Sequence, residues 1–302
     1  MNSFLPSLPN MAEHFGSSTA LMGLSVGVYL GTSAIFQILV GPLSDRIGRR
    51  TVSLWALIIF SVVSISCVYA PNTFVFMVLR ALQAIAACTF VVARAIVRDT
   101  TETQASGSKI AYISMGTAIC PMFGPALGGL LDGWFGWEAN FWFIGGLGIF
   151  ILLIAYFDLG ETVPENTQGF RQQFSEYPEL LLSRRFWGYC LASAFGAGAF
   201  FAYLGGGPFV GSIVYNLSPE MLGLYFGAPA IGYFFGNFLS GRFTILFGID
   251  AMILWGLWII FSGLSLSMVC SYVGYGTVET FFGFMIFVGL GNGLTIPNAT
   301  AG

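Results

Sequence analysis

Charge is what this sequence has least of. Only 8% of its 302 residues are Asp, Glu, Lys or Arg, against roughly 25% in an average soluble domain. A water-soluble fold of this length could not cover its surface with so few polar groups. Eleven basic residues and a net charge of -3 are too little for the clustered basic surface that nucleic acid requires. Histidine is nearly absent. His14 stands alone, which excludes His-x-x-x-His metal pairs and removes the usual base of a Ser/His site. The five cysteines (Cys67, Cys88, Cys120, Cys190, Cys270) lie in apolar runs and form no Cys-x-x-Cys pair. They read as free thiols packed as small hydrophobes. With no nucleophile–base set and no metal set, neither an enzyme nor a cofactor is expected.

What fills the chain is apolar: 56% hydrophobic and 17% aromatic residues, with a mean hydropathy of +0.80. A membrane-crossing helix takes about 20 mostly apolar residues. Such runs occur near 21–43, 52–71, 74–97, 109–132, 139–157, 186–209, 219–243, 249–271 and 277–298. The reading is therefore an all-α polytopic membrane protein with nine complete spans. Met1–Pro9 is apolar but, at about 14 Å as a helix, too short to cross.

Lys and Arg set the orientation. With alternating spans, Arg46, Arg49, Arg50, Arg94, Arg98, Lys109, Arg171, Arg184, Arg185 and Arg242 fall on one side, while the loops near 10–20, 71–73, 133–138, 210–218 and 272–276 contain neither residue type. The loops 41–51 and 158–185 are thus expected in the cytoplasm and residues 10–20 outside. Arg80 is the exception, inside a span.

The polar connection 158–185 divides two similar stretches. Phe4-Leu5 and Pro9 correspond to Tyr203-Leu204 and Pro208, Gly23-Leu24 and Gly27 to Gly223-Leu224 and Gly227, and Ser44 and Arg46 to Ser240 and Arg242, at offsets of 199, 200 and 196. Two parallel repeats are a common transporter plan, with substrate bound between them. Residues 1–157 then form an N-terminal bundle whose first span is incomplete, and 186–302 a C-terminal bundle. By symmetry, two further C-terminal spans and the front of the first are expected beyond this chain. A protein with nine or ten natural spans is the alternative.

The loop Gly41-Pro42-Leu43-Ser44-Asp45-Arg46-Ile47-Gly48-Arg49-Arg50 resembles the signature loop of the major facilitator superfamily. Its glycines permit a tight turn, and Asp45 is suited to pair with a cation or a helix N-terminus. Arg80-Ala81-Leu82-Gln83 is similar to the superfamily's Arg-x-x-Gln-Gly segment, with Ala84 in place of the glycine. Gly116, Pro121 and Gly124-Pro125-Ala126-Leu127-Gly128-Gly129 resemble its antiporter motif, whose small residues let helices approach closely. Phe4-Leu5-Pro6-Ser7-Leu8-Pro9, Arg94-Ala95-Ile96-Val97-Arg98-Asp99 and Gly289-Leu290-Gly291-Asn292-Gly293 narrow the resemblance to the Bcr/CflA-type drug:proton antiporters. Asn2 departs from that pattern, since many relatives carry a titratable acid there.

The resemblance implies proton-coupled efflux of drugs or other small amphipathic molecules by alternating access, driven by the proton gradient, in a bacterial inner membrane. It implies a monomer whose partners are the bilayer, protons and a small-molecule substrate. Arg80 is the leading functional residue, because a charge deep in a span is costly and normally faces a cavity or a partner such as Gln83. Tyr29, Tyr203, Phe200 and Phe201, with Asn237 and Asn292 as polar anchors, are candidates for the cavity wall. Asp45, Arg46, Arg94, Arg98 and Asp99 are expected to form a cytoplasmic charge network. The pairs Gly124–Gly128, Gly223–Gly227 and Gly232–Gly236 are candidates for close, sliding contacts. An uptake carrier of the same superfamily and a non-functional fragment of an exporter are the competing readings.

Overall fold

A computed structural model describes residues 3–100, 123–162 and 181–301, except for the side chains of Arg98 and Ala301. Asn2, Gly116, Pro121, most of the expected span at 109–132 and most of the 158–185 connection lie outside these residues.

Buried in hydrocarbon, a backbone must satisfy its own polar groups, and helices do so within one segment. No strand occurs among the described residues, as an all-α membrane chain requires. After a 3₁₀ turn at Leu5–Ser7, α1 is Leu8–His14, α2 Thr19–Ile47, α3 Arg49–Ser66, α4 Thr73–Gln83 and α5 Ala86–Thr100. Helix α6 runs through 123–135 and α7 is Glu138–Asp158. Then come α8 Arg184–Phe209, α9 Pro219–Tyr225, α10 Ala228–Phe247, α11 Ile249–Tyr272, α12 Val278–Gly283 and α13 Met285–Ala301. Short polar side chains start many of them. Ser18, Asn72 and Ser183 accept hydrogen bonds from the backbone N–H groups of Leu21, Val75 and Phe186 at 3.2, 2.9 and 3.3 Å.

Seven helical stretches among the described residues, some joining two consecutive helices, are long and apolar enough to cross a membrane: Thr19–Ile47, Arg49–Tyr69, Thr73–Val97, Glu138–Asp158, Arg184–Val214, Ile249–Tyr272 and Val278–Thr300. The span expected at 219–243 is not one of the seven, and like the stretches of α4 with α5 and α12 with α13 it is divided, here into α9 and α10. Pro229 has no N–H to give the carbonyl four residues back, and the chain breaks its helical ladder at 226–227.

By contact the chain forms two compact units, and neither is continuous in sequence. One contains residues 10–100 and 135–162; the other contains 3–9, 123–134 and 181–301. Contact grouping therefore cuts across the chain-order division at 158–185, because the start of the chain and α6 pack with the later helices.

In the first unit, Val40, Ala56, Cys88 and Val92 form a buried cluster that joins α2, α3 and α5. In the second, glycine lets α10, α11 and α13 pack backbone to backbone. A Cβ on Gly232 would run into the Ile286 carbonyl, one on Gly289 into the Pro229 carbonyl, and one on Gly291 into Gly256. Gly128 meets Ser3, and Gly223 meets Pro125 and Ala126. Gly227 is different: its nearest atom is the Leu224 carbonyl of its own segment, so it makes no such interhelical contact. Outward faces stay apolar. Phe157, Ile245 and Tyr272 are 82%, 91% and 92% exposed, a liability in water but suited to lipid.

Each unit also has a joint of one residue. Gly48 links α2 to α3 with φ of 111°, and Gly248 links α10 to α11 with φ of 82°. A positive φ is the region glycine enters without strain. The two lie 200 residues apart, in step with the offsets of the repeat.

These contacts predict opposite outcomes for two substitutions. In Gly293→Ala the added Cβ would come within 2.7 Å of both the Asn237 nitrogen and the Tyr233 carbonyl oxygen, at an expected cost of about 1–3 kcal/mol. Gly241 has open space where a Cβ would sit, so Gly241→Ala should be neutral or stabilising by up to about 1 kcal/mol. Thermal unfolding of the two purified variants checks the pair.

Candidate functional site

The first site is centred on Arg80, which is 0% exposed. A cation so placed needs built-in partners, and it has them from α2, α3 and its own helix. Its Nη1 donates to Gln83 Oε1. Gln83 Nε2 donates to Ser64 Oγ at 2.7 Å, and Ser64 Oγ donates to the Phe60 carbonyl at 2.6 Å. The guanidinium carbon also lies 5.0 Å from the centre of the Tyr29 ring, a cation–π distance. Gln83 and Arg80 share a face because they are three residues apart on a helix. Immediately after them the helix tightens: Ala84, Ile85 and Ala87 each donate to the carbonyl three residues back. An amide does not pass a proton along such a chain. The array therefore fixes a positive charge in place.

The second site lies at the Arg-rich loop. Its hub is Arg49, 7% exposed. Arg49 Nη1 is 2.6 Å from Asp45 Oδ1, and Nε is 2.9 Å from Asp99 Oδ2. Nη1 also donates to Ser44 Oγ at 2.7 Å. The Arg49 backbone N–H, an orphan donor at the start of α3, is met by Glu161 Oε1 at 2.8 Å. Arg50 reaches the other way: Nε donates to the Leu159 carbonyl at 2.7 Å and Nη2 to the Tyr156 carbonyl at 2.9 Å. The start of α3 and the end of α7 thus cap one another. Gly48 is required twice over, by its φ and because a Cβ there would strike the Glu161 carboxylate.

This corrects the expected charge network. Asp45 and Asp99 belong to it, but their cation is Arg49. Arg46 is exposed and makes neither of the two ion pairs found among the described residues. Arg94 instead stands over Phe90, 4.2 Å from the ring centre. The side chain of Arg98 is not among those described.

The second unit has a neutral counterpart. Ser240 corresponds to Ser44, and Asn298 stands 199 residues after Asp99. Asn298 Nδ2 donates to Ser240 Oγ at 2.7 Å, and Thr244 Oγ1 donates to Asn298 Oδ1 at 2.9 Å. Where one unit uses an arginine and two carboxylates, the other uses amide and hydroxyl.

The third site is a cavity of about 190 Å³ within the second unit. Phe200 and Phe201 of α8, Phe226, Tyr233 of α10 and Asn292 of α13 line it, with Pro229 and small residues between. Asn292 Nδ2 donates to the Gly196 and Val288 carbonyls at 3.0 Å each. Its Oδ1 has no hydrogen-bond partner among the described residues. Phe200, Phe201 and Asn292 are thus where the sequence suggests. Tyr203 is not. It is buried against Phe226, Phe281 and Phe282. Asn237 turns back to the Tyr233 carbonyl at 2.8 Å, and Tyr29 belongs to the Arg80 site. Of the antiporter motif, Gly128 and Gly129 abut the Ser3 and Pro219 carbonyls, and the Pro125 carbonyl abuts Gly223. Sequence reading missed Glu161, Ser64, Phe226 and Tyr233. Only Glu161 left a trace there, as an acid just beyond the end of a span.

If Arg49 organises its site, its partners must be energetically coupled. A double-mutant cycle of Arg49→Gln with Asp99→Asn should give an interaction of about 0.5–3 kcal/mol. Arg46→Gln with Asp99→Asn should be additive within about 0.5 kcal/mol. Unfolding of the five variants and the parent measures both.

The profile of the Major Facilitator Superfamily matches residues 1–301. An uncharacterized MFS-type transporter of Bacillus subtilis, YdgK, is 32% identical over 80% of this chain and 62% of its own length. A chloramphenicol resistance protein of Pseudomonas aeruginosa is 31% identical over 100% of this chain and 72% of that protein. The multidrug resistance protein MdtL of Escherichia coli is 32% identical over 62% of this chain and 48% of its own. This chain thus spans between about half and three quarters of the length of these relatives. Among solved structures, a bacterial homolog of the human lysosomal transporter Spinster superposes with a TM-score of 0.77 at 18% identity, over 99% of this chain and 72% of that one. A D-xylose-proton symporter does so with a TM-score of 0.77 at 15% identity, over 99% and 78%. Both likenesses are of fold.

Proposed function

Because the chain belongs to the major facilitator superfamily, a family of membrane transporters and not of enzymes, we propose that it exports drugs or similar small amphipathic molecules across a bacterial inner membrane in exchange for protons. The cavity of the second unit carries this reading. Three phenylalanines, a proline and small residues offer a bound molecule an apolar, aromatic wall. Against that wall stand one amide and one phenol. The Asn292 amide is pinned through its nitrogen to the Gly196 and Val288 carbonyls. The preferred cargo is aromatic or apolar. The drug-resistance relatives support the same class.

Proton coupling is what the resemblance to the Bcr/CflA-type drug:proton antiporters implies. Arg80 holds a fixed positive charge in the first unit, and a second positive charge, proton or cationic cargo, is disfavoured near it. Arg49 and its acids would keep α2, α3 and α5 of the first unit together at the Arg-rich, cytoplasmic end. The transporter works as a monomer, without a cofactor.

Inverted membrane vesicles test the reading. An imposed proton gradient should drive chloramphenicol or another aromatic drug into them, and a protonophore should abolish the movement. Accumulation in right-side-out vesicles instead would mark an uptake carrier and sink the efflux reading.

A further inference from the structure

A groove on the outer face of the first unit has no part in the transport reading. Thr51, Leu54, Trp55 and Ile58 of α3 and Leu152, Leu153 and Tyr156 of α7 line it, around a space of about 350 Å³. Trp55 and Tyr156 are 61% and 56% exposed, and indole and phenol rings favour the level of lipid headgroups. One end of the groove is cationic. The Arg50 guanidinium carbon lies 5.5 Å from the centre of the Tyr156 ring, and Tyr156 is itself part of the lining. Two of its nitrogens are spent on the Leu159 and Tyr156 carbonyls. Nη1 makes no hydrogen bond to the described residues. The two carbonyl bonds hold the guanidinium still and leave a charged donor beside the groove mouth.

We propose that this groove is a binding site for an anionic glycerophospholipid of the leaflet on the Arg-rich side. One acyl chain occupies the channel between α3 and α7, and the phosphate meets Arg50 Nη1. Charge complementarity selects the headgroup, since an apolar groove alone takes any acyl chain. The nearby Glu161 carboxylate is turned to the backbone N–H groups of Arg49 and Thr162 at 2.8 and 3.0 Å and is in neither ion pair of the described residues, so Arg50 keeps its own charge for the headgroup. The inference stands whether the cargo leaves or enters the cell.

Trp55 is a built-in reporter. The full chain is reconstituted in phosphatidylcholine vesicles that contain a minor share of either phosphatidylglycerol or phosphatidylcholine with brominated acyl chains. The quenching that disappears in Trp55→Phe belongs to the groove. Brominated phosphatidylglycerol should quench that component more strongly, with a preference of about fivefold, the enrichment one basic residue gives near anionic lipid. Arg50→Gln should reduce the preference to none, and Arg50→Lys should keep most of it. Ile58→Trp, read against the same background in a Trp55→Phe chain, should report the same acyl contact if Arg50→Gln fails to fold, with high salt then lowering the preference. Equal quenching by the two lipids in the parent chain, or a preference that survives Arg50→Gln, overturns the proposal.

Discussion

The hydrocarbon core of a bilayer holds no water, so every polar group placed there must be answered from within the chain. The scarcity of charge and the helical backbone both follow. So do the two ways in which the units hold together. Where glycines face each other, helix backbones touch, as α10, α11 and α13 do. Where a polar side chain is needed, it arrives with its partners. Arg80 is the severest case: a fully buried guanidinium needs Gln83, Ser64 and Tyr29 drawn from three helices around it.

The Arg-rich loop obeys the same constraint at the membrane boundary, where water lies within reach and charges are less costly. There, acids from α2, α5 and the residues after α7 converge on the first residue of α3. The corresponding place in the second unit is closed by Asn298, Ser240 and Thr244. The same closure is thus made with full charges in one unit and with neutral groups in the other.

Much of this was legible in the amino acids. Long apolar runs located the seven spans found among the described residues, because a helix that faces lipid needs nothing but length and apolarity. The Arg80–Gln83 contact followed from helical spacing, and the glycine patterns pointed to close packing at Gly223, Gly232 and Gly236. What escaped were contacts between distant segments. Glu161 meets Arg49 across 112 residues of sequence, and no local pattern announces such a meeting. The choice of Arg49 over Arg46 as hub is likewise a matter of which way each side chain leaves a tight joint. Tyr203 looked like a cavity residue by its neighbours Phe200 and Phe201, but Phe226, Phe281 and Phe282, from segments distant in sequence, enclose its ring. The break between α9 and α10 was written in Pro229 and passed over in favour of hydropathy.

The one-residue joints at Gly48 and Gly248 also set how the chain turns at the Arg-rich end of each unit. Neither leaves room for a loop between its flanking helices, so a single left-handed backbone angle fixes the path from α2 into α3 and from α10 into α11. Any residue with a Cβ at either joint would have to bear that angle or bend the path. The direction of four long helices is thus held by two residues that have no side chain at all.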